Sequence, residues 1–142
     1  MRILMLTQLL VYPADCGPKV KTLQVLRHLA VRHDVYYCTF IRSDQEEKEA
    51  EKLRGLCRRV STVPIRRSRV SDARFLLESL LTNDSFILRR DDRADMRTIV
   101  CQLLRDERID VLHVDQLNMM RFVPPDWKGT VILDAVSYTH LR

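Results

Sequence analysis

The chain has 142 residues, enough for one domain with a substantial core. Its hydrophobic content of 46% and charged content of 30% are globular values and exclude a disordered or fibrous chain. With 24 Lys plus Arg against 19 Asp plus Glu, the formal charge is +5.

The positive surplus is uneven: Arg58, Arg59, Arg66, Arg67, Arg69 and Arg74 crowd one stretch, while 44–51 is mostly acidic. Such a run suits phosphates or an anionic membrane face. No aromatic side chain interleaves with it, which argues against nucleic acid as a partner. Cys16, Cys38, Cys57 and Cys101 are widely spaced without a C-x-x-C pair. They read as reduced thiols, three of them at positions apolar enough for the core, not as a zinc site or a disulfide frame. The opening MRILMLTQLLVYPADC is broken by Thr7-Gln8 and lacks a small-x-small cleavage site, and no stretch reaches membrane-spanning length. A cytoplasmic protein is the plain expectation.

Ile3-Leu4-Met5-Leu6 is a short apolar run of the kind that forms a strand buried on both faces. A loop follows, Gln8 to Pro18, with Pro13, Asp15 and Gly17 as turn signals. Val20, Leu23, Leu26, Leu29 and Ala30 then recur at helical spacing, with Pro18 suited to the first helical turn. Val35 to Phe40 is a second strand. Ser43 or Asp44 caps a charged helix, with Glu46 or Glu47 at capping-box distance and Ala50, Leu53, Leu56 and Cys57 on the buried face. Val60 to Ile65 is a third strand.

Ala73 to Leu81 reads as helix, and Asp91 or Asp92 opens another that carries Met96, Ile99, Val100, Leu103 and Leu104. Ile109 to Val114 is a fourth strand, Leu117 to Val123 a short helix, and Val131-Ile132-Leu133 a fifth strand. Strands alternating with long helical crossovers predict an α/β fold, a doubly wound, mainly parallel sheet with helices on both faces.

Ligands of such sheets gather outside the carboxyl ends of the strands. Two ends stand out. After the first strand, Pro13 to Lys19 carries Gly17, which lets backbone approach a ligand, beside a helix N-terminus that favours an anion, with Lys19 and Lys21 adding charge. The pattern is neither G-x-G-x-x-G nor a P-loop, so a dinucleotide is disfavoured. At the end of the fourth strand, His113 and Asp115 point to one side by alternation. Asp115 can take a proton from a sugar hydroxyl, or it can cap the short helix that follows. His113 is best read as a core-facing histidine bonded to a carbonyl. The place of Asp134 at the end of the fifth strand leaves its role open.

The segments R-I-L-M-L-T-Q at Arg2–Gln8, Y-P-x-D-x-G-x-K at Tyr12–Lys19, L-R-H-L-A at Leu26–Ala30 and D-V-L-H-V-D-Q-L-N-M at Asp110–Met119 together resemble the N-terminal domain of family-4 GT-B glycosyltransferases, the branch found in exopolysaccharide biosynthesis. The likeness runs over essentially all of residues 1–135, although Arg66 to Asp91 carries no matching motif. It implies a Rossmann-like, acceptor-side half of an enzyme that moves a sugar from a nucleotide-sugar donor to a glycan or lipid-linked acceptor. The donor is bound mainly by a C-terminal half through an E-x7-E element, and neither cofactor nor metal is required.

Carried over by position, Asp115 is the implied catalytic residue near the acceptor hydroxyl, and Gly17, Lys19, Asp15 and Gln116 are implied substrate or phosphate-loop binders. Many relatives have a Gly-Gly pair where Cys16-Gly17-Pro18 offers one glycine. A lipid-linked acceptor further implies peripheral contact with the inner face of the cytoplasmic membrane through the Arg58–Arg74 region.

The last residues, Val136-Ser137-Tyr138-Thr139-His140-Leu141-Arg142, match the translation of a transposase-end sequencing adapter. The expectation is a native domain over 1–135, a missing donor domain, and a fragment inactive by itself. The rival expectation is a stand-alone α/β ligand-binding or regulatory domain of flavodoxin-like type.

Overall fold

The computed structural model describes residues 1–65 and 94–135. Arg66, Arg67, Arg69, Arg74, the expected helix over 73–81, the start of the next helix at Asp91 or Asp92, and the tail 136–142 lie outside the described residues. The element order is β1 (Arg2–Thr7), α1 (Gly17–Ala30), β2 (Asp34–Ile41), α2 (Asp44–Glu51), β3 (Arg59–Pro64), α3 (Ala94–Asp106), β4 (Val111–Asp115) and β5 (Thr130–Asp134). Short 3-10 turns at Lys52–Gly55 and Leu117–Phe122 follow α2 and β4.

The strands form one five-stranded sheet in the order β3-β2-β1-β4-β5, every neighbouring pair parallel. This is the doubly wound, Rossmann-like arrangement, and the chain reverses its direction of growth between β1 and β4. A flavodoxin-like sheet would seat β3 beside β1. Here β1 pairs with β2 and β4 instead, so the strand order is not the flavodoxin-like one.

β1 and β2 are buried along nearly their whole length, which is why their sequences read as unbroken apolar runs. Alternation divides their side chains between two cores. Leu4, Leu6, Tyr36 and Cys38 face Met96, Val100 and Leu103 of α3, whereas Met5, Val35 and Tyr37 face Leu23 and Leu26 of α1 and Ala50 before the first 3-10 turn. Helices therefore cover both faces.

α2 begins as its sequence dictates: Ser43 accepts a hydrogen bond from the Glu46 backbone N–H (3.2 Å), and the Glu46 carboxylate reaches back to the Arg42 N–H (2.7 Å). The buried face of α1 differs from expectation. Thr22, Leu23 and Leu26 are buried, while Val20 is 43% exposed. At 100° per residue Val20 lies roughly a third of a turn from the centre of that face. Of the four cysteines Cys38 and Cys57 are buried, Cys101 is half-buried and Cys16 exposed, all as free thiols. Burial lifts both core thiols to about 12, so neither is a reactive nucleophile.

Candidate functional site at the β1–β4 switch point

The loop after β1 is tied down from below. Thr7 Oγ1 lies 2.7 Å from the Tyr37 hydroxyl and 2.9 Å from Thr39 Oγ1, all three groups buried. The Val11 backbone N–H donates to the same Tyr37 hydroxyl at 3.2 Å. Desolvation keeps the Tyr37 phenol protonated far above neutrality. This buried hydroxyl cluster fixes where the chain leaves β1 and so where α1 begins. No motif in the sequence announced it, because its members come from different strands.

α1 starts at Gly17 with Pro18 in its first turn, no acidic residue there, and no side-chain cap from Cys16. The first N–H groups are thus left without an anionic neighbour on the helix, at its positive end. Gly17 has neither a positive φ nor a crowded Cβ position, so nothing in its backbone demands glycine. Lys19 and Asp15 form an ion pair of 2.9 Å, and the Lys19 side chain is only 18% exposed. The hydrogen bond from Lys19 holds the Asp15 carboxyl below its ordinary range.

Asp115 ends β4, and its Cα partners are Thr7 in β1 and Asp134 in β5. Its side chain is turned under α1, where Thr22 Oγ1 donates to Oδ1 at 3.2 Å, and the residue is 8% exposed. It does not cap the following 3-10 turn: Gln116 occupies that cap, without a side-chain bond. Burial raises the Asp115 carboxyl above the ordinary range. The Thr22 bond and Lys21 lower it, and Asp134 raises it further. A carboxylate so placed is a stronger base than a solvated one.

Gln116 has φ 90° and ψ 141°, close to a region that only glycine populates freely, and its N–H donates to the Asp134 carbonyl at 3.1 Å. Asp134 is also held by Lys21 of α1 at 2.5 Å. His113 shares the α1-facing side of β4 with Asp115, is 8% exposed, and no partner meets its Nδ1. Nδ1 lacks a partner among the described residues, while a backbone hydrogen bond at His113 acts on the ring to raise its pKa. Burial lowers the His113 pKa, with opposing effects from Asp134 and Lys21.

The structure therefore brings the start of α1 and the end of β4 together on adjacent strands. Lys19, Asp115 and Gln116 line one small niche with Leu9, Val11, Pro18 and Thr22. Asp15 stands outside it, bonded to Lys19. Sequence reading missed Thr22, which was hidden in a stripe of apolar residues, and left Asp134 without a role. Among the described residues no three His, Cys, Asp or Glu side chains are placed to hold a metal ion. No helix among them is long and apolar enough to cross a membrane.

Fold and site together define a Rossmann-like α/β domain with a small niche, lined by Lys19, Thr22, Asp115 and Gln116, at its topological switch point. No protein family, curated protein or solved structure matches the chain.

Proposed function

We propose that this chain is the acceptor-side half of a GT-B glycosyltransferase of the family-4 kind. It would move a sugar from a nucleotide-sugar donor to a glycan or lipid-linked acceptor in surface or exopolysaccharide biosynthesis. The supporting observation is the juxtaposition of the uncapped start of α1 with Asp115 across the paired ends of β1 and β4. A transfer needs leaving-group charge stabilised, the acceptor oxygen oriented and water excluded. The helix end and Lys19 answer the first need and Asp115 the second, while closure of a donor domain over the crevice answers the third.

In this reading the Lys19–Asp15 pair is a resting contact that a donor phosphate displaces. On this reading the full-length gene encodes a second α/β half with paired glutamates, and a full-length gene without one would overturn the proposal. The two-domain protein is expected to transfer label from one of a panel of UDP-, GDP- and dTDP-sugars to a membrane lipid extract. Asp115→Asn should lower that rate by about 10²- to 10⁴-fold, the usual worth of a positioned general base. Undiminished transfer by the variant removes Asp115 from the mechanism.

A further inference from the structure

We propose that Thr22 is the positioning residue of Asp115, holding one carboxylate oxygen so that the other is offered to a hydroxyl of the acceptor. The reaction it serves rests on the transferase reading above; the positioning itself rests on geometry alone.

Thr22 lies in the second turn of α1 and is 4% exposed. A threonine in a helix commonly returns its hydroxyl to a carbonyl three or four residues back. Thr22 instead spends it on Asp115 Oδ1, 93 residues away in sequence, at 3.2 Å. Among the described residues, Thr22 is the side chain that hydrogen-bonds Asp115, and it does so at Oδ1. Beside the pair lies a niche of about 10 Å³, bounded by Leu9, Val11, Pro18 and Lys19 on the loop and helix side and by Gln116 on the strand side. That volume holds one water-sized group. A single oxygen of an alcohol fits it and a sugar ring does not, so the body of the acceptor stays outside in the crevice.

Among the described residues, Lys21 from α1 and Asp134 from β5 act on the carboxylate, Lys19 of α1 lines the same niche, and His113 lies two residues back on the same side of β4, with Thr7 opposite on β1. Lys21 is already engaged by Asp134, and Lys19 by Asp15. Thr22 is therefore the donor left to orient Asp115, and its bond also favours the ionised carboxylate. In the step served, Oδ2 accepts the acceptor's hydroxyl proton while the acceptor oxygen bonds the anomeric carbon. The bond from that carbon to the diphosphate breaks, and its electron pair leaves with the nucleoside diphosphate of the donor.

Thr22→Val keeps the shape and removes the hydroxyl, and Thr22→Ser restores it. Titration of the Asp115 carboxyl followed by carbon-detected NMR in this chain should move to higher pH in the valine variant and return to the parent position in the serine variant. In the two-domain enzyme, Thr22→Val should lower kcat about tenfold, a fraction of a general base's contribution. The donor KM should be unchanged, the acid limb of the pH profile moved upward, and both restored by serine. An unmoved Asp115 titration in Thr22→Val overturns the positioning role, whatever the transfer rate. A moved titration in a protein that transfers no sugar keeps the positioning role and removes only the transferase reading. If the valine variant does not fold, Thr22→Cys, a weak donor, is expected to shift the titration in the same direction, and no shift there overturns the proposal equally.

Discussion

His113 is an imidazole placed where water does not reach Nδ1 and where no group among the described residues replaces it. Its pKa is pushed below the ordinary 6.5 first by burial. The folded state then binds fewer protons than the unfolded one, so the contribution of His113 to stability is present above about 6.5 and is lost as pH falls through the lowered folded value. His113→Leu fills the same space without a nitrogen to charge. The parent's melting temperature should fall more steeply than the variant's between about pH 7 and about pH 5, the range in which imidazole titrates. Parallel curves would mean that the ring titrates as if solvated.

Asp115 works in the opposite sense. Burial raises its folded pKa above 3.8, so its contribution to stability is present below that value and lost as pH rises through the raised one. At neutral pH its charge is a cost. Asp115→Asn, which still accepts the Thr22 bond, should therefore be more stable near pH 7 by about 1 kcal/mol even as it loses activity. Urea unfolding of both proteins measures this directly.

At the scale of elements, the exit of β4 concentrates the strain that the described backbone shows near this site. Gln116 carries φ 90° immediately after Asp115, while its N–H is fixed to the Asp134 carbonyl. Gln116→Gly should relieve roughly 1 kcal/mol of backbone strain, whereas Gln116→Ala should relieve none. Denaturant midpoints of the two variants are expected to separate accordingly, and coincident midpoints would show the turn to be relaxed.

The strands that flank this exit were readable from sequence because burial on both faces leaves continuous apolar runs such as Ile3–Leu6 and Val35–Phe40. Ser43 and Glu46 gave the start of α2 because capping is a local exchange of hydrogen bonds. The face of α1 was not readable in full, since Val20 keeps helical spacing with Leu23 yet points to solvent. The meeting of the β1 loop with Asp115 follows once β1 and β4 are neighbours, which the sequence left as a condition and the sheet order supplies. What Asp115 touches could not, because Thr22 reaches it from a distant turn of chain and a cap on the next helix was equally plausible by spacing.

For the whole molecule, the sheet separates an amino edge from the carboxyl edge that holds Asp115. Arg58 and Arg59 stand at the amino end of β3, opposite the edge that holds Asp115, and Arg59 is already 3.3 Å from Glu107. β3 has six residues, so about 16 Å of strand, at about 3.3 Å per residue, lie between these arginines and its carboxyl end. Arg66, Arg67 and Arg69 follow that carboxyl end in sequence.

A membrane that delivers a lipid-linked acceptor to Asp115 has to approach the carboxyl edge. On the proposed transferase reading, the expectation from chain order is that Arg66, Arg67 and Arg69, not Arg58 and Arg59, carry the contact with anionic headgroups. Each basic side chain near such a surface is worth about 1 kcal/mol at low salt. Replacing Arg66, Arg67 and Arg69 with Ser should weaken flotation with phosphatidylserine-containing liposomes by about a hundredfold, and Arg58→Ser with Arg59→Ser should change it little. Raising the salt should erase the difference, because screening shortens the reach of surface charge to a few ångströms near 1 M. Equal loss in both variants would point to undirected attraction by the net charge of +5, and unaltered flotation in both would detach the domain from the membrane altogether.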